Sequence, residues 1–280
     1  MGFPQSDQPH PAAPAAAPSP VSNRAAAMAE LRRLLPRLGQ DRRHGRRQEP
    51  LPFGLPTIDS HLPDDGLARG ALHEVVPATE GSIACAFGFI AAILARLARA
   101  RPLLLIIPRH GLRPYRSHGR LHGHGLDTAL GLDPARLILV ETAQRKETLW
   151  AMEEALRSQA PTAVMAAIDT LDLKSSQRLH LAATDAGLPL FLLRPAPNLD
   201  ASAAATRWRI GTAQAARDRF GLIARPRWHL QLERCRNGRP GEWVVEYDHV
   251  AHRFSLAAAL ANCSRARGAD EDAIAQRRRA

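Results

Sequence analysis

The residue that phosphate chemistry needs most, a lysine in a glycine-rich loop, has no counterpart in this sequence. A loop of the G-x-x-x-x-G-K-[ST] type holds phosphates with its backbone N–H groups and reaches the terminal ones with its lysine. The corresponding stretch, Pro77–Ala86, has one glycine, no lysine, and a carboxylate at Glu80 that would repel phosphate. The two lysines of the chain, Lys146 and Lys174, lie outside glycine-rich segments, and arginine replaces lysine poorly in such a loop. We therefore expect no ATP hydrolysis by the usual mechanism, no catalytic residue and no cofactor.

Two further patterns could support metal binding, and both favour a structural interpretation. Asp169 follows the apolar run Ala163–Ile168, where an NTPase could hold Mg²⁺ through a carboxylate. Because aspartate is strongly preferred at helix starts, we interpret Asp169 or Asp172 as the beginning of the next helix. The histidines at positions 110, 118, 122 and 124 lack an accompanying cysteine or carboxylate pair. We therefore predict no metal site.

An arginine-rich loop is the first candidate contact with DNA or with a partner protein. Its candidate residues are Arg109, Arg113, Arg116 and Arg120. Guanidinium groups in such a loop can contact a phosphate backbone. We favour a solvated surface loop, followed by DNA contact and then by metal binding.

A predicted turn around Asn237-Gly238 is the second candidate contact. It carries Arg234, Arg236 and Arg239, which could direct their charges toward DNA or a neighbouring subunit. The alternative is a hairpin tip whose charges keep a sheet edge soluble. The residues alone do not decide between the two interpretations.

The composition is basic, with 38 Lys+Arg against 27 Asp+Glu. Such a balance is typical of proteins that bind nucleic acid, an acidic protein or an anionic surface. All but two of the cations are arginine, in a chain rich in alanine and proline, so part of the excess reflects a GC-rich genome. The cysteines, at positions 85, 235 and 263, show no C-x-x-C spacing, and the apolar run Ile83–Leu97 is too short to span a bilayer. We expect a soluble, cytoplasmic bacterial protein.

The sequence divides into a folded body with an appendage on each side. Residues 1–23 are rich in Pro and Ala and should be disordered, and residues 24–50 form a helix followed by a basic linker. Residues 51–260 form the core domain, and residues 261–280 form a charged tail.

The core alternates near-continuous apolar runs with helical segments, which indicates a parallel sheet covered on both faces. The predicted strands are Ala71–Val76, Leu103–Ile107, Leu137–Val140, Ala163–Ile168 and Leu188–Leu193, and the predicted helices are Ser82–Ala100, Lys146–Ser158 and Lys174–Ala186. Around Trp228–Leu232 and Trp243–Tyr247 apolar and polar residues alternate on either side of an Asn-Gly turn, which is typical of a hairpin. The predicted fold class is α/β, a mostly parallel sheet flanked by helices with a C-terminal antiparallel hairpin.

A series of short motifs extends over about Arg24 to Leu260. The motifs are Leu51-Pro-Phe-Gly-Leu55 with Ile58-Asp59, Gly66-Leu-Ala-Arg-Gly70 with Leu72-His-Glu74, Gly131-Leu-Asp-Pro-Ala-Arg-Leu137, Leu149-Trp-Ala-Met-Glu-Glu154, Ser176-Gln-Arg-Leu179, Thr206-Arg-Trp208, and Arg234-Cys-Arg-Asn-Gly-Arg-Pro-Gly241 followed by Trp243 and His252-Arg-Phe254. In this order they resemble the ImuA family of bacterial SOS-mutagenesis proteins, a RecA-like family often grouped with SulA-type proteins.

The resemblance implies a RecA-like core and a non-enzymatic role in SOS-induced translesion DNA synthesis. The implied partners are ImuB, a polymerase-like protein without activity of its own, and an error-prone replicative-type DNA polymerase, with RecA as a further candidate. Direct contact with DNA stays open, and no membrane partner is implied. The alternatives are a SulA-like regulator that inhibits cell division and an autonomous DNA-binding protein.

Overall fold

The computed structural model describes residues 49–97, 101–109, 121–195, 201–217, 220 and 222–257. The predicted N-terminal tail, the N-terminal helix with most of its linker, and the charged C-terminal tail lie outside these residues. So do Arg113, Arg116 and Arg120 of the arginine-rich loop. Among the described residues, none of the helices is long and apolar enough to cross a membrane.

In the described part of the chain, nine strands and five α-helices form the core. The strands are β1 Leu72–Pro77, β2 Leu103–Pro108, β3 Leu137–Thr142, β4 Ala163–Ala167, β5 Leu190–Leu193, β6 Thr206–Arg217, β7 Ile223–Cys235, β8 Gly241–Asp248 and β9 Arg253–Leu256. The helices are α1 Pro56–Asp59, α2 Ile83–Ala95, α3 Gly123–Leu130, α4 Arg145–Ser158 and α5 Leu173–Ala186.

All these strands belong to one sheet, in the order β3-β2-β4-β5-β1-β6-β7-β8-β9. The pairs from β3 across to β6 are parallel, and the pairs from β6 to β9 are antiparallel. This confirms the predicted fold class. The antiparallel part is larger than expected, since a fourth strand, β9, adds to β8 and β6 joins the two halves of the sheet.

Alternation along the central strands divides the core into two layers. On β2, Leu103 and Leu105 face the layer that contains α2, whereas Leu104 and Ile106 face the layer that contains α4 and α5. Because both faces of a parallel sheet are covered by helices, every residue in such strands is buried, and the run reads as continuously apolar. The same arrangement explains the apolar runs of β4 and β5.

Helix α2 is buried on nearly all sides. It packs against β1, β5, β6 and α3, and it shares a core cluster with residues of β7, β8 and β9. A helix that is apolar all round must be enclosed, and here the antiparallel strands enclose it. Phe89 on this helix lies 5.6 Å from Trp208 and 6.0 Å from Phe254, measured between ring centroids. The strands past β6 therefore bury the side of this helix that the parallel strands leave open.

The first motif of the core is a turn held by one carboxylate. Asp59 accepts hydrogen bonds from the backbone N–H of Phe53 at 2.6 Å and of Leu55 at 2.9 Å. Gly54, between them, has a positive φ of 72°, which a glycine adopts without strain. The spacing of Phe53, Gly54, Leu55 and Asp59 is thus explained by local geometry.

Candidate functional site at the carboxyl edge of the sheet

The strands β1 to β5 all end at the same edge of the sheet, which we call the carboxyl edge. Open α/β sheets bind their ligands outside the carboxyl ends of the strands. The segments that leave this edge are therefore the candidates for a functional site. Among them, the β1–α2 connection occupies the position of a phosphate loop.

The β1–α2 connection is short and closed by its own side chains. It consists of residues 78–82, between the end of β1 at Pro77 and the start of α2 at Ile83. The hydroxyl groups of Thr79 and Ser82 lie 2.9 Å apart, and the Ser82 N–H donates to the Thr79 carbonyl at 2.9 Å. Ser82 and Ile83 are buried. Ala84, the next residue of α2, is exposed, and a small 3₁₀ turn, Glu80–Ser82, connects β1 to the helix in place of a long glycine-rich loop.

Neither lysine lies near the start of α2. Lys146 is in the first turn of α4 and Lys174 in the first turn of α5, so both are at the carboxyl edge. They follow β3 and β4, however, and these strands lie four and two positions from β1 in the sheet. At about 4.8 Å per strand, β3 and β4 lie about 19 Å and 10 Å from β1.

The acidic residues after β4 are occupied by local contacts. Asp172 is the N-cap of α5: its carboxylate accepts from the Ser175 N–H and the Ser175 hydroxyl, each at 2.8 Å, and from Arg145 at 2.8 Å. The Ser175 backbone and side-chain hydrogen bonds lower the pKa of Asp172 to about 2. Asp169 accepts from the N–H of Thr170 at 3.0 Å. Among the described residues, no group of three or more His, Cys, Asp or Glu side chains could hold a metal ion.

Arg109 is the one member of the arginine-rich loop in the described part of the chain. It directly follows β2 at the carboxyl edge, and its Nε donates to Glu141 at 3.0 Å. Its side chain is still 62% exposed. A contact between this loop and DNA or a partner stays a prediction.

The three arginines of the predicted turn lie at the opposite, amino edge of the sheet, because the β7–β8 turn follows Cys235, which pairs with the first residue of β6. Each of them donates to a backbone carbonyl of another segment. Arg234 donates to Ala204 at 2.8 Å, Arg236 to Ala203 at 3.2 Å and Arg239 to Ser60 at 3.3 Å.

The turn itself is fastened to the loop after α1. The N–H of Arg239 donates to the His61 carbonyl at 2.9 Å, and Nδ1 of the His61 ring lies 2.9 Å from the carbonyl oxygen of Pro240. A Cβ on Gly238 would lie 2.4 Å from the His61 oxygen, so this close approach requires a glycine. The structure thus separates Arg109 from the turn arginines by the height of the sheet and gives the latter a packing role. Whether they also contact a partner stays a prediction.

A buried charge cluster was missed by the sequence reasoning. Glu74 on β1 accepts from Arg194 at 3.0 Å and from Arg207 at 2.8 Å. The side chains of Glu74 and Arg194 are fully buried, and that of Arg207 is 11% exposed. The sequence signal was a glutamate in a strand whose residues other than His73 are apolar, since a buried charge requires a partner.

The neighbouring residue His73 is also fully buried. Its Nε2 lies 2.8 Å from the Ala68 carbonyl and its Nδ1 lies 2.8 Å from the Thr206 hydroxyl. A neutral ring satisfies both contacts if Nε2 carries the proton. Burial lowers the pKa of His73 from 6.5 to about 4. The residue therefore belongs to the core, with a ring that is neutral at neutral pH.

Protein ImuA of Caulobacter vibrioides, from strains NA1000/CB15N and ATCC 19089/CB 15, is 34% identical to this chain over 230 residues in both cases. The match covers 76% of this chain and 90% of the Caulobacter protein. No protein-family model matches the chain.

Proposed function

Because the chain belongs to the ImuA family, we propose that it is a non-catalytic accessory protein of an SOS-induced translesion DNA synthesis complex. In this role it is an adaptor for a polymerase-like partner of the ImuB kind, which acts together with an error-prone replicative-type DNA polymerase. The relationship to Protein ImuA supports a part in DNA-damage-induced mutagenesis. The adaptor role and the partners are our proposal.

The β1–α2 connection carries the non-catalytic part of the proposal. A phosphate loop needs several backbone N–H groups that point at the ligand and a lysine beside them. Here residues 78–82 contain no lysine, the hydroxyls of Thr79 and Ser82 pair with each other, and Ile83 at the start of α2 is buried. The acidic residues that follow β4, Asp169 and Asp172, accept hydrogen bonds from backbone N–H groups. This arrangement supports the proposal that the chain keeps the architecture of a nucleotide-binding domain but lacks the lysine and the free carboxylates that would act on a nucleotide.

The test combines an assay on the purified protein with one in cells. The full-length chain is incubated with Mg·ATP, and released phosphate is measured against a buffer control. We expect no release above that control. In parallel, a strain that lacks the gene is complemented with the wild-type chain or with Asp169→Asn, and the damage-induced mutation frequency is measured.

Asp169→Asn tests the negative charge alone, because an amide oxygen can still accept the hydrogen bond from the Thr170 N–H. The proposal predicts that it restores mutagenesis as fully as the wild type does. ATP hydrolysis that is abolished by this substitution, together with lost complementation, would refute a non-catalytic role.

A further inference from the structure

Strand β3 is an open edge of the sheet. It pairs with β2 on one side and stands at the end of the strand order. In the described part of the chain no strand pairs with its other side. The N–H and C=O groups along that side are a template for a further strand. Proteins that keep such an edge unpaired make it short, or place charged residues or proline on it.

The two edges of the sheet differ in this protection. At the opposite edge, β9 has only four residues and begins with the exposed Arg253. Strand β3 has six residues, and the first four, Leu137-Ile-Leu-Val140, are apolar and include neither a charge nor a proline. Its one charged residue, Glu141, comes near the end and pairs with Arg109 at 3.0 Å. The β3 edge therefore lacks the features that prevent pairing.

The side chains along this edge are apolar on both faces of the sheet. On one face Ile138 and Val140 are half-buried and pack against the layer of α4, as do Leu149 and Trp150. On the other face Leu139 is 48% exposed. A further strand laid along β3 would remove apolar surface from water on both faces. The edge thus offers backbone hydrogen bonds and apolar contact together.

The residues of β3 match those of a second copy of the strand. When two β3 strands run antiparallel around a twofold axis at Leu139, this leucine lies opposite Leu139 of the second copy. On the other face of the sheet, Ile138 lies opposite Val140, because residues two apart share a face. Pairs of apolar residues on neighbouring strands stabilise a sheet. Such an interface uses the same patch on both chains, as twofold dimers do.

The charges beyond the two ends of β3 also match a second copy in this orientation. Asp133 lies four residues before the strand and Lys146 four residues after it. Within the described residues neither has an ion-pair partner: Asp133 accepts the Ala135 N–H at 2.9 Å, and Lys146 is exposed. The neighbours of Lys146, Arg145 and Glu147, have partners in their own chain. Antiparallel pairing brings the Asp133 end of each copy to the Lys146 end of the other, so opposite charges meet twice.

We propose that this chain forms a homodimer in which the two β3 strands pair antiparallel and join both sheets into one. The occupant of the edge is a second copy, because apolar residues then lie opposite apolar residues and Asp133 approaches Lys146 of the other copy. The inference concerns self-association and does not depend on the adaptor function. The dimer leaves the antiparallel half of each sheet, at the opposite edge, accessible.

The test is the dissociation constant of the dimer, measured by sedimentation equilibrium of the purified full-length chain. Leu139→Lys places two cations opposite each other at the twofold axis, on an apolar edge. We expect it to weaken the dimer by at least about tenfold, the scale of one hot-spot residue. The matched control Leu181→Lys changes a leucine that is 61% exposed on α5, and it should leave the dissociation constant unchanged.

A second variant, Lys146→Glu, tests the charges at the ends of the strand. Lys146 is exposed, and a carboxylate is favourable in the first turn of a helix, so the fold tolerates the change. We expect a dimer weakened about three- to tenfold, the scale of two exposed ion pairs. The control Lys174→Glu reverses the charge at the equivalent position of α5, away from β3, and should have no effect.

Three results would overturn the inference. The first is a wild-type chain that sediments as a monomer at every soluble concentration. The second is a dimer that Leu139→Lys leaves unchanged, because another surface then holds the two copies. The third is a wild-type monomer whose binding to the polymerase-like protein is lost in Leu139→Lys. That result would assign the β3 edge to this partner, and it would support the adaptor function.

Discussion

Replacing the buried histidine His73 with glutamine should flatten the dependence of stability on pH between about 4 and 6.5. His73 is fully buried and its pKa is lowered from 6.5 to about 4, chiefly by burial. The unfolded chain therefore binds a proton at this residue near pH 6.5, whereas the folded chain binds it only near pH 4. Between these values the unfolded state holds more protons, so stability rises with pH across the window and falls as the pH is lowered.

The size of the effect follows from the shift. One pKa unit corresponds to 1.36 kcal/mol, so a shift of this size gives about 3 kcal/mol of stability that is present above pH 6.5 and lost by pH 4. Glutamine can donate to the Ala68 carbonyl as the ring does, but it does not titrate. His180, whose pKa is lowered by burial and then by Arg236, contributes in the same sense and is present in both proteins.

The assay is urea denaturation followed by tryptophan fluorescence, at a series of pH values from 7.5 to 4. Subtracting the two free energies of unfolding at each pH removes the contribution of His180 and of all other shared groups. We expect the advantage of the wild type to shrink by about 3 kcal/mol as the pH falls through the window. If the difference between the two free energies of unfolding stays constant over this pH range, His73 is not a buried neutral ring and the reasoning is refuted.

Three further substitutions test the packing. Glu74→Gln removes the carboxylate that Arg194 and Arg207 share in a buried cluster, and it should lower the free energy of unfolding by about 3–5 kcal/mol. The control Glu153→Gln, in a surface pair with Arg178, should lower it by under about 1 kcal/mol. Equal losses in the two variants would argue against the buried cluster. Gly238→Ala places a Cβ 2.4 Å from the His61 carbonyl oxygen and should lower stability by about 1–3 kcal/mol, measured as a fall in Tm. In the control Gly81→Ala the nearest atom to the new Cβ would be 3.9 Å away, so its Tm should fall much less. Asp172→Ala removes the N-cap of α5 and should cost about 1 kcal/mol by urea denaturation, and an unchanged midpoint would contradict the capping role.

The strands and helices of the central layers could be predicted because their residue patterns follow from local burial. The predicted strand Leu103–Ile107 is β2, one residue longer, and the predicted helices Lys146–Ser158 and Lys174–Ala186 each begin one residue earlier. The predicted strand Leu188–Leu193 begins later, at Leu190, after Pro189, which has no N–H for a strand ladder. Continuous apolar runs and helical spacing are enough for such elements.

The rest depends on contacts between distant parts of the chain. The cluster of Glu74, Arg194 and Arg207 requires β6 to lie beside β1 and Arg194 to follow β5, an order that no local pattern encodes. Strand β6 has small and polar residues in its second half, since that half has no core to cover, and β9 has only four residues. The turn arginines looked like candidate contacts because the carbonyls that they bind, at Ala203, Ala204 and Ser60, are distant in sequence.

The central proposal is that this chain works as an accessory to a polymerase-like protein in damage-induced mutagenesis. The most direct measurement is the damage-induced mutation frequency in three strains that lack this gene, the gene for the polymerase-like protein, or both. The account predicts the same loss of induced mutation in all three strains, because neither protein acts without the other. A double deletion that loses clearly more than either single one, or full induced mutation without this gene, would contradict it.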